Sequence, residues 1–185
     1  MHKAEILLES LQRVRPNIAL GLNVSISALK RIGNPHEQVK IVHIAGTNGK
    51  GSVCAMIASI LRNAGYKVGT YTSPHLLRWS DAVNILAKPG EYEDVRANAE
   101  HWHQSVLEVS EACESMTLTA FEAATAAMWL HFARSRVDIA IIEAGVGGRL
   151  DATNVCPTVE ASVITSVALD HQVLTKSSIL HCDLP

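Results

Sequence analysis

The chain has 185 residues, enough for one domain with a core of its own. It is 48% hydrophobic and 18% charged, a globular balance that excludes a disordered or fibrous protein. Its formal net charge of −2 speaks against a nucleic-acid or membrane-surface partner held by a basic field.

Residues 3–14 predict a short amphipathic helix with Ile6, Leu7, Leu11 and Val14 on one face, followed by Pro16. Residues 23–32 predict a second, weaker helix ending at Gly33, and Asn34-Pro35 is a turn. Ile41 to Ala45 is a β-branched apolar run and reads as a buried strand. Gly46-Thr47-Asn48-Gly49-Lys50-Gly51 then packs three glycines and a lysine into a tight turn. From Ser52 a helical stripe runs through Val53, Met56, Ile57, Ile60, Leu61 and Ala64, with Gly65 at the C-cap. Lys67 to Tyr71 predicts a second strand, ending in Thr72-Ser73-Pro74-His75. Residues 76–91 form a long loop with a short strand at Val83 to Leu86. Tyr92 to Cys113 and Leu118 to Phe132 predict two further helices, the first with its apolar positions at Val95, Ala99, Trp102, Val106, Val109 and Cys113. Val137 to Ile142 reads as a central strand, and the glycine-rich turn Glu143 to Arg149 follows it. Val159 to Leu169 holds a last strand, ending in Asp170-His171.

Strands alternating with helices define an α/β domain with a mainly parallel sheet and flanking helices. In such sheets ligands sit beyond the carboxyl ends of the strands. Here those ends carry the glycine-lysine turn, Ser73, Glu143 and Asp170-His171, so these groups share one edge. A strand, a glycine turn and a helix start leave backbone N–H groups aimed outward, and Lys50 adds a full positive charge: the site wants a polyphosphate. The turn is not a formal Walker A sequence, because two residues separate Gly46 from Gly49 and Gly51 intervenes between Lys50 and Ser52. A nucleoside triphosphate brings Mg²⁺, which takes hard oxygen ligands. Glu143 is the best carboxylate for it, or else the partner of Arg149 in a salt bridge; Ser52 and Ser73 are hydroxyl candidates. His171 is either one ligand or an ordinary satisfied histidine. His101-x-His103 puts its rings on different faces of a helix and makes a poor metal pair. The four cysteines, Cys54, Cys113, Cys156 and Cys182, form no C-x-x-C pair and read as reduced thiols of a cytoplasmic protein. The N-terminus has no signal-peptide core, and no apolar run could span a bilayer.

The segments HIAGTNGKGS at 43–52, GYKVGTYTSPHL at 65–76, TAFEAATAAMWLHF at 119–132, EAGVGGRLDATN at 143–154 and SVALDH at 166–171 together resemble the folylpolyglutamate synthase/dihydrofolate synthase family of the Mur ligase superfamily. The resemblance runs over about residues 15–172 and implies the P-loop NTPase-like central domain of a Mur ligase. It implies an ATP-dependent ligase that joins L-glutamate to a folate or dihydropteroate carboxylate through an acyl phosphate. It places Gly46, Thr47, Asn48, Gly49, Lys50, Gly51 and Ser52 around ATP, with Lys50, Glu143 and His171 in catalysis. Ser52 and Glu143 are implied as ligands of one Mg²⁺, and Ser73, Glu143 and His171 of a second. Phe121-Glu122 matches an F-E pair of the family, which sets Glu122 near the site. Two positions depart from the family pattern: Ala82 follows Asp81 where an arginine is usual, and Asn23-Val24 follows Gly21-Leu22. Residues 173–185 match neither the lysine-bearing helix nor the C-terminal domain of the family, so the chain is expected to be one ATP-binding domain with an atypical tail that does not turn over by itself. The competing expectations are a non-catalytic nucleotide-binding fragment and another P-loop phosphotransferase.

Overall fold

The computed structural model describes residues 2–14, 21–92 and 94–168. His171, Asp170, Cys182 and the tail at 173–185 lie outside the described residues. Five strands form one sheet: β1 (Ile41–Ala45), β2 (Val68–Tyr71), β3 (Val83–Leu86), β4 (Ile139–Glu143) and β5 (Ala161–Ile164), in the order β3-β2-β4-β1-β5. β2, β4, β1 and β5 run parallel, and β3 is antiparallel to β2. The helices are α1 (Lys3–Val14), α2 (Asn23–Arg31), α3 (Lys50–Asn63), α4 (Val95–Ala112) and α5 (Ala120–Arg134), with 3₁₀ turns at Pro35–Gln38 and Trp79–Ala82.

The central strands are covered on both faces, which is why β1 is buried at all five positions, whereas the edge strand β5 is largely exposed. Alternation along the strands sorts the side chains. Val42, Ile44, Val68 and Ile141 meet Cys54 and Ala58 of α3 on one face. Ile41, Tyr71, Ala140 and Ile142 join the larger core built with α5, α4, α1 and α2 on the other. α5 is apolar all round and is the buried helix of the molecule, with Trp129 and Phe132 fully enclosed. Gly69 makes room for it: a Cβ there would stand 3.0 Å from the Phe132 ring.

The predicted elements form among the described residues, several with a shift of face or boundary; β4, expected over Val137 to Ile142, runs Ile139–Glu143 and so takes Glu143 into the strand. α1 turns Ala4, Glu5 and Leu8 inward and leaves Ile6 and Val14 at 50% and 75% exposure. The cause is Glu5, whose carboxylate accepts the amides of Trp79 and Ser80 and the ring Nε2 of His103, and so rotates the helix. α3 begins at Lys50 rather than Ser52, because Gly49 in the left-handed region (φ 85°) is its N-cap. It seats the small residues Cys54 and Ala58 on the sheet and leaves Met56 and Ile60 outside. α4 and α5 start later than their apolar patterns, at the caps Asp94 and Thr119, where side-chain oxygens take the first free amides.

Candidate functional site

β1 lies between β4 and β5, and the register pairs Ile44 with Glu143 and Ala45 with Ile164. The carboxyl ends of three parallel strands therefore meet at one place. β1 runs straight into the glycine-lysine turn, β4 ends on Glu143, and the chain after β5 braces the turn from the other side. Thr47 N donates to Ser166 O (2.7 Å), Ala168 N donates to Thr47 Oγ1 (2.9 Å), and Ser166 Oγ donates to Asn48 O (3.3 Å). Gly46 is what allows this closeness: its φ is 130°, and a Cβ would collide with Thr165 Oγ1 and come within 3.1 Å of the Ser166 carbonyl. The amide and hydroxyl of Thr47 are thus engaged in holding the loop.

The start of α3 is open. Its first amides have no acceptor one turn back, and no side chain caps them. Gly51 and Ser52 are exposed there. Such a terminus carries partial positive charge and offers N–H donors to an anion. Lys50 does not reach into solvent: its side chain is 16% exposed, Nζ donates to Gly46 O (2.9 Å) and Thr47 O (3.4 Å), and it stands 3.9 Å from Glu143 Oε1.

Glu143 is buried at the end of β4. Its Oε2 accepts the amide of Ser73 (3.2 Å), and a Cβ on Gly51 would stand 3.5 Å from the same oxygen. Burial pushes its carboxyl above the ordinary range, and the Ser73 amide and Lys50 offset only part of that push. A carboxylate so placed is under-compensated in the absence of a divalent cation. Its oxygens are hard donors of the kind Mg²⁺ takes, and Ser52 and Ser73, the hydroxyl residues expected beside it, lie at the start of α3 and just after β2 at the same edge. The cation facing Glu143 is Lys50. Cys54, one turn into α3, is pushed up to about 12 by burial and by Glu143, so its thiol is chemically inert.

A second network holds the glycine turn after β4. Asp151 Oδ2 accepts Val146 N (2.8 Å), and Oδ1 accepts both Thr153 N (3.0 Å) and Thr153 Oγ1 (2.6 Å). Thr153 has one hydroxyl proton and gives it to Asp151, so the contact of 2.8 Å with His43 Nε2 makes His43 the donor. His43 is wholly buried in β1, and burial lowers its basicity despite Asp151. The chain His43–Thr153–Asp151–Val146 thus ties the middle of β1 to the loop that follows Glu143. Sequence reasoning missed it; the visible signal is D-x-T at 151–153, the spacing of an Asx turn. Glu122 is also a brace: it accepts Thr119 N and Oγ1 as the far half of a capping box, while Phe121 beside it packs on Gly145. An open cleft of about 550 Å³, lined by Lys67, Asp94, Asn98, His101, His131 and Arg134, lies at the opposite edge of the sheet, away from Lys50 and Glu143.

A parallel sheet with a glycine-lysine loop between a strand and a helix N-terminus, and a buried carboxylate on the next strand, defines a mononucleotide-binding α/β domain. No protein-family model matches the chain. Dihydrofolate synthetase from Saccharomyces cerevisiae is 38% identical over 160 residues, which is 84% of this chain and 36% of that protein. The structure of Escherichia coli FolC in complex with DHPP and ADP superposes with a TM-score of 0.77 at 37% identity, over 92% of this chain and 39% of that one. The bifunctional folylpolyglutamate synthase/dihydrofolate synthase from Yersinia pestis, complexed with AMPPNP and Mn ion, gives 0.74 at 33% identity, over 91% and 39%. The chain belongs to the folylpolyglutamate synthase/dihydrofolate synthase family, whose Mur-ligase-type fold it shares. It spans about a third of the length of the curated relatives it matches.

Proposed function

We propose that this chain binds MgATP for an amide ligase that joins L-glutamate to a folate or dihydropteroate carboxylate by way of an acyl phosphate. The observation that carries the reading is the pairing of Lys50 and Glu143, 3.9 Å apart at the open start of α3. A cation, a set of free amides and a buried carboxylate are what a nucleoside triphosphate with its metal needs on three sides. Membership in a family with an ADP-bound and an AMPPNP–Mn-bound structure supports the same nucleotide and a divalent metal.

In this reading the amides of Asn48, Gly49, Lys50 and Gly51 receive the β-phosphate side. Gly46 and Thr47 keep the loop in shape. Lys50 turns from the Gly46 and Thr47 carbonyls to the γ-phosphate, leaving Glu143 to the metal. Ser52 and Glu143 would hold one Mg²⁺, and Ser73, Glu143 and His171 a second. Such a metal would supply charge neutralisation at the phosphates, which the approach of an anionic carboxylate requires. The brace from His43 to Val146 keeps Glu143 and its loop in register with β1 during that approach. The free, buried thiols of Cys54, Cys113 and Cys156 support a cytoplasmic setting. Among the described residues no helix is long and apolar enough to cross a membrane.

The test has two parts. Calorimetric titration of the chain with ATP, with and without Mg²⁺, reads the nucleotide site; no Mg²⁺-dependent affinity overturns it. ADP release assayed with dihydropteroate or tetrahydrofolate, plus and minus L-glutamate, reads the reaction. It is run on the chain alone and on the chain joined to the remaining length of a relative. Release that requires glutamate and yields an amide supports the ligase, whereas a phosphorylated hydroxyl product identifies a phosphotransferase.

A further inference from the structure

Far from the phosphate loop, the start of α1 meets α4 at a cluster of three metal-capable side chains. His2, Glu100 and His103 offer ligand atoms that all lie within 4.8 Å of one another. His103 is buried on α4, and its Nε2 is 2.9 Å from Glu5 Oε1. The Glu5 carboxylate accepts the amides of Trp79 and Ser80 as well, so it faces the ring as an acceptor: Nε2–H donates to it, and the ring's other nitrogen is Nδ1. That Nδ1 is buried and has no hydrogen-bond partner among the described residues. An imidazole oriented by a carboxylate through one nitrogen, with the other unpartnered, is the arrangement in which histidines bind transition metals.

The other two groups complete a donor set. His2 Nδ1 accepts the amide of Ala4 (3.2 Å), so its proton sits on Nε2, which faces Glu100 Oε1 at 3.3 Å. To bind through Nε2 the ring takes its other tautomer: the proton passes to Nδ1, the hydrogen bond from the Ala4 amide is given up, and Nε2 and Glu100 Oε1 are left to the ion. We infer that His2, Glu100 and His103 form a Zn²⁺ site of two imidazole nitrogens and one carboxylate oxygen, closed by water. This borderline set suits zinc better than magnesium or calcium. Ligands about 2.1 Å from one zinc lie within about 4 Å of each other, so the donors need to close by less than about 1 Å. The rings of His2 and His103 are stacked 4.1 Å apart at 9°, so their in-plane nitrogens do not yet converge on one point. His2 therefore turns to bind, which its place just before α1 and its partial exposure allow. The occupied site fastens the first turn of α1 to the middle of α4.

The experiment is a titration of the untagged chain with Zn²⁺ in excess Mg²⁺, followed by competition with a chromophoric chelator and by melting temperature. The chain is expected to bind one Zn²⁺ and to melt higher with it. His2→Ala and Glu100→Gln, both at exposed or half-exposed side chains outside the core, are each expected to lose affinity about tenfold or more and to lose the melting shift. With Co²⁺ in place of Zn²⁺ the parent chain is expected to show the visible absorption of a four-coordinate nitrogen–oxygen site. Full affinity in either variant, or no bound ion in the parent chain, overturns the assignment.

Discussion

Lys50 is a structural residue as well as the proposed phosphate ligand. With its ammonium on two loop carbonyls and facing Glu143, its loss leaves a buried carboxylate without a cation. The sequence, which places this lysine in a solvent-facing loop, predicts a substitution at little cost to stability; the structure corrects that. Lys50→Ala is expected to weaken MgATP binding about tenfold or more and to destabilise the ligand-free chain by about 1–2 kcal/mol in urea unfolding. Unchanged affinity removes Lys50 from the phosphate site. Glu143 gives the opposite stability sign. Burial raises its carboxyl above the usual carboxylate range, so the folded state holds its proton longer than the unfolded state does. The associated stability is present at low pH and declines as pH rises through the raised carboxyl range. Glu143→Gln removes that decline. Its melting temperature relative to the parent is expected to climb as pH rises from the ordinary carboxylate range through the raised one and then level off. In the same variant Mg²⁺-dependent nucleotide binding falls more than metal-free binding, because the amide keeps the shape and drops the charge. Equal loss in both points to a purely structural carboxylate.

Two elements depend on residues that do not look important by type. The β1–α3 loop stands on Gly46, where a side chain meets both a positive φ of 130° and the backbone after β5. Gly46→Ala is expected to cost about 2–4 kcal/mol and to abolish nucleotide binding, because the β5 extension must move away from Thr47. Gly65→Ala is the control: φ is 92°, but nothing lies within 4 Å, so it costs about 1–2 kcal/mol and leaves the nucleotide affinity intact. Urea unfolding and calorimetry on the pair separate loop strain from loop contact. At α1 the fixing residue is Glu5, which binds the 3₁₀ turn at Trp79–Ala82 and α4 together. Glu5→Gln aims an amide N–H₂ at donors and is expected to cost about 2–4 kcal/mol at neutral pH. Because the folded carboxyl lies below its usual range, this contribution is present above the unfolded value and is lost as pH falls. The gap between parent and variant therefore narrows in acid; a gap independent of pH shows that packing, not charge, holds α1.

At the scale of the whole molecule, the architecture was legible because strands buried on both faces leave continuous apolar runs, and glycine turns mark where they end. β1 and β3 appear with the bounds their sequence predicts, and the phosphate loop, Ser73 and Glu143 converge as parallel strands require. What stayed hidden was set by polar partners far along the chain. Glu5 rotates α1 through residues 74, 75 and 98 positions away, and His43 reaches Thr153 across 110. No local period carries such information. Small residues misled in the same way: Cys54 and Ala58, not the larger Met56 and Ile60, face the sheet, since close approach of α3 was worth more than side-chain size. These long-range ties make one global expectation. The nucleotide site joins β1, β4 and the segment after β5, so a ligand held there engages three strand ends that part only when the sheet unfolds. MgATP at about one hundred times its Kd should add about 2.7 kcal/mol to the folded state. For a chain of this size that is a rise of about 5–10 °C in Tm. Chelation of Mg²⁺ should remove most of the rise, as should Glu143→Gln, since the buried carboxylate is the group the cation relieves. Differential scanning fluorimetry with ATP, Mg²⁺ and chelator in a full factorial reads this directly. A Tm that ATP raises equally with and without Mg²⁺ places the nucleotide away from Glu143.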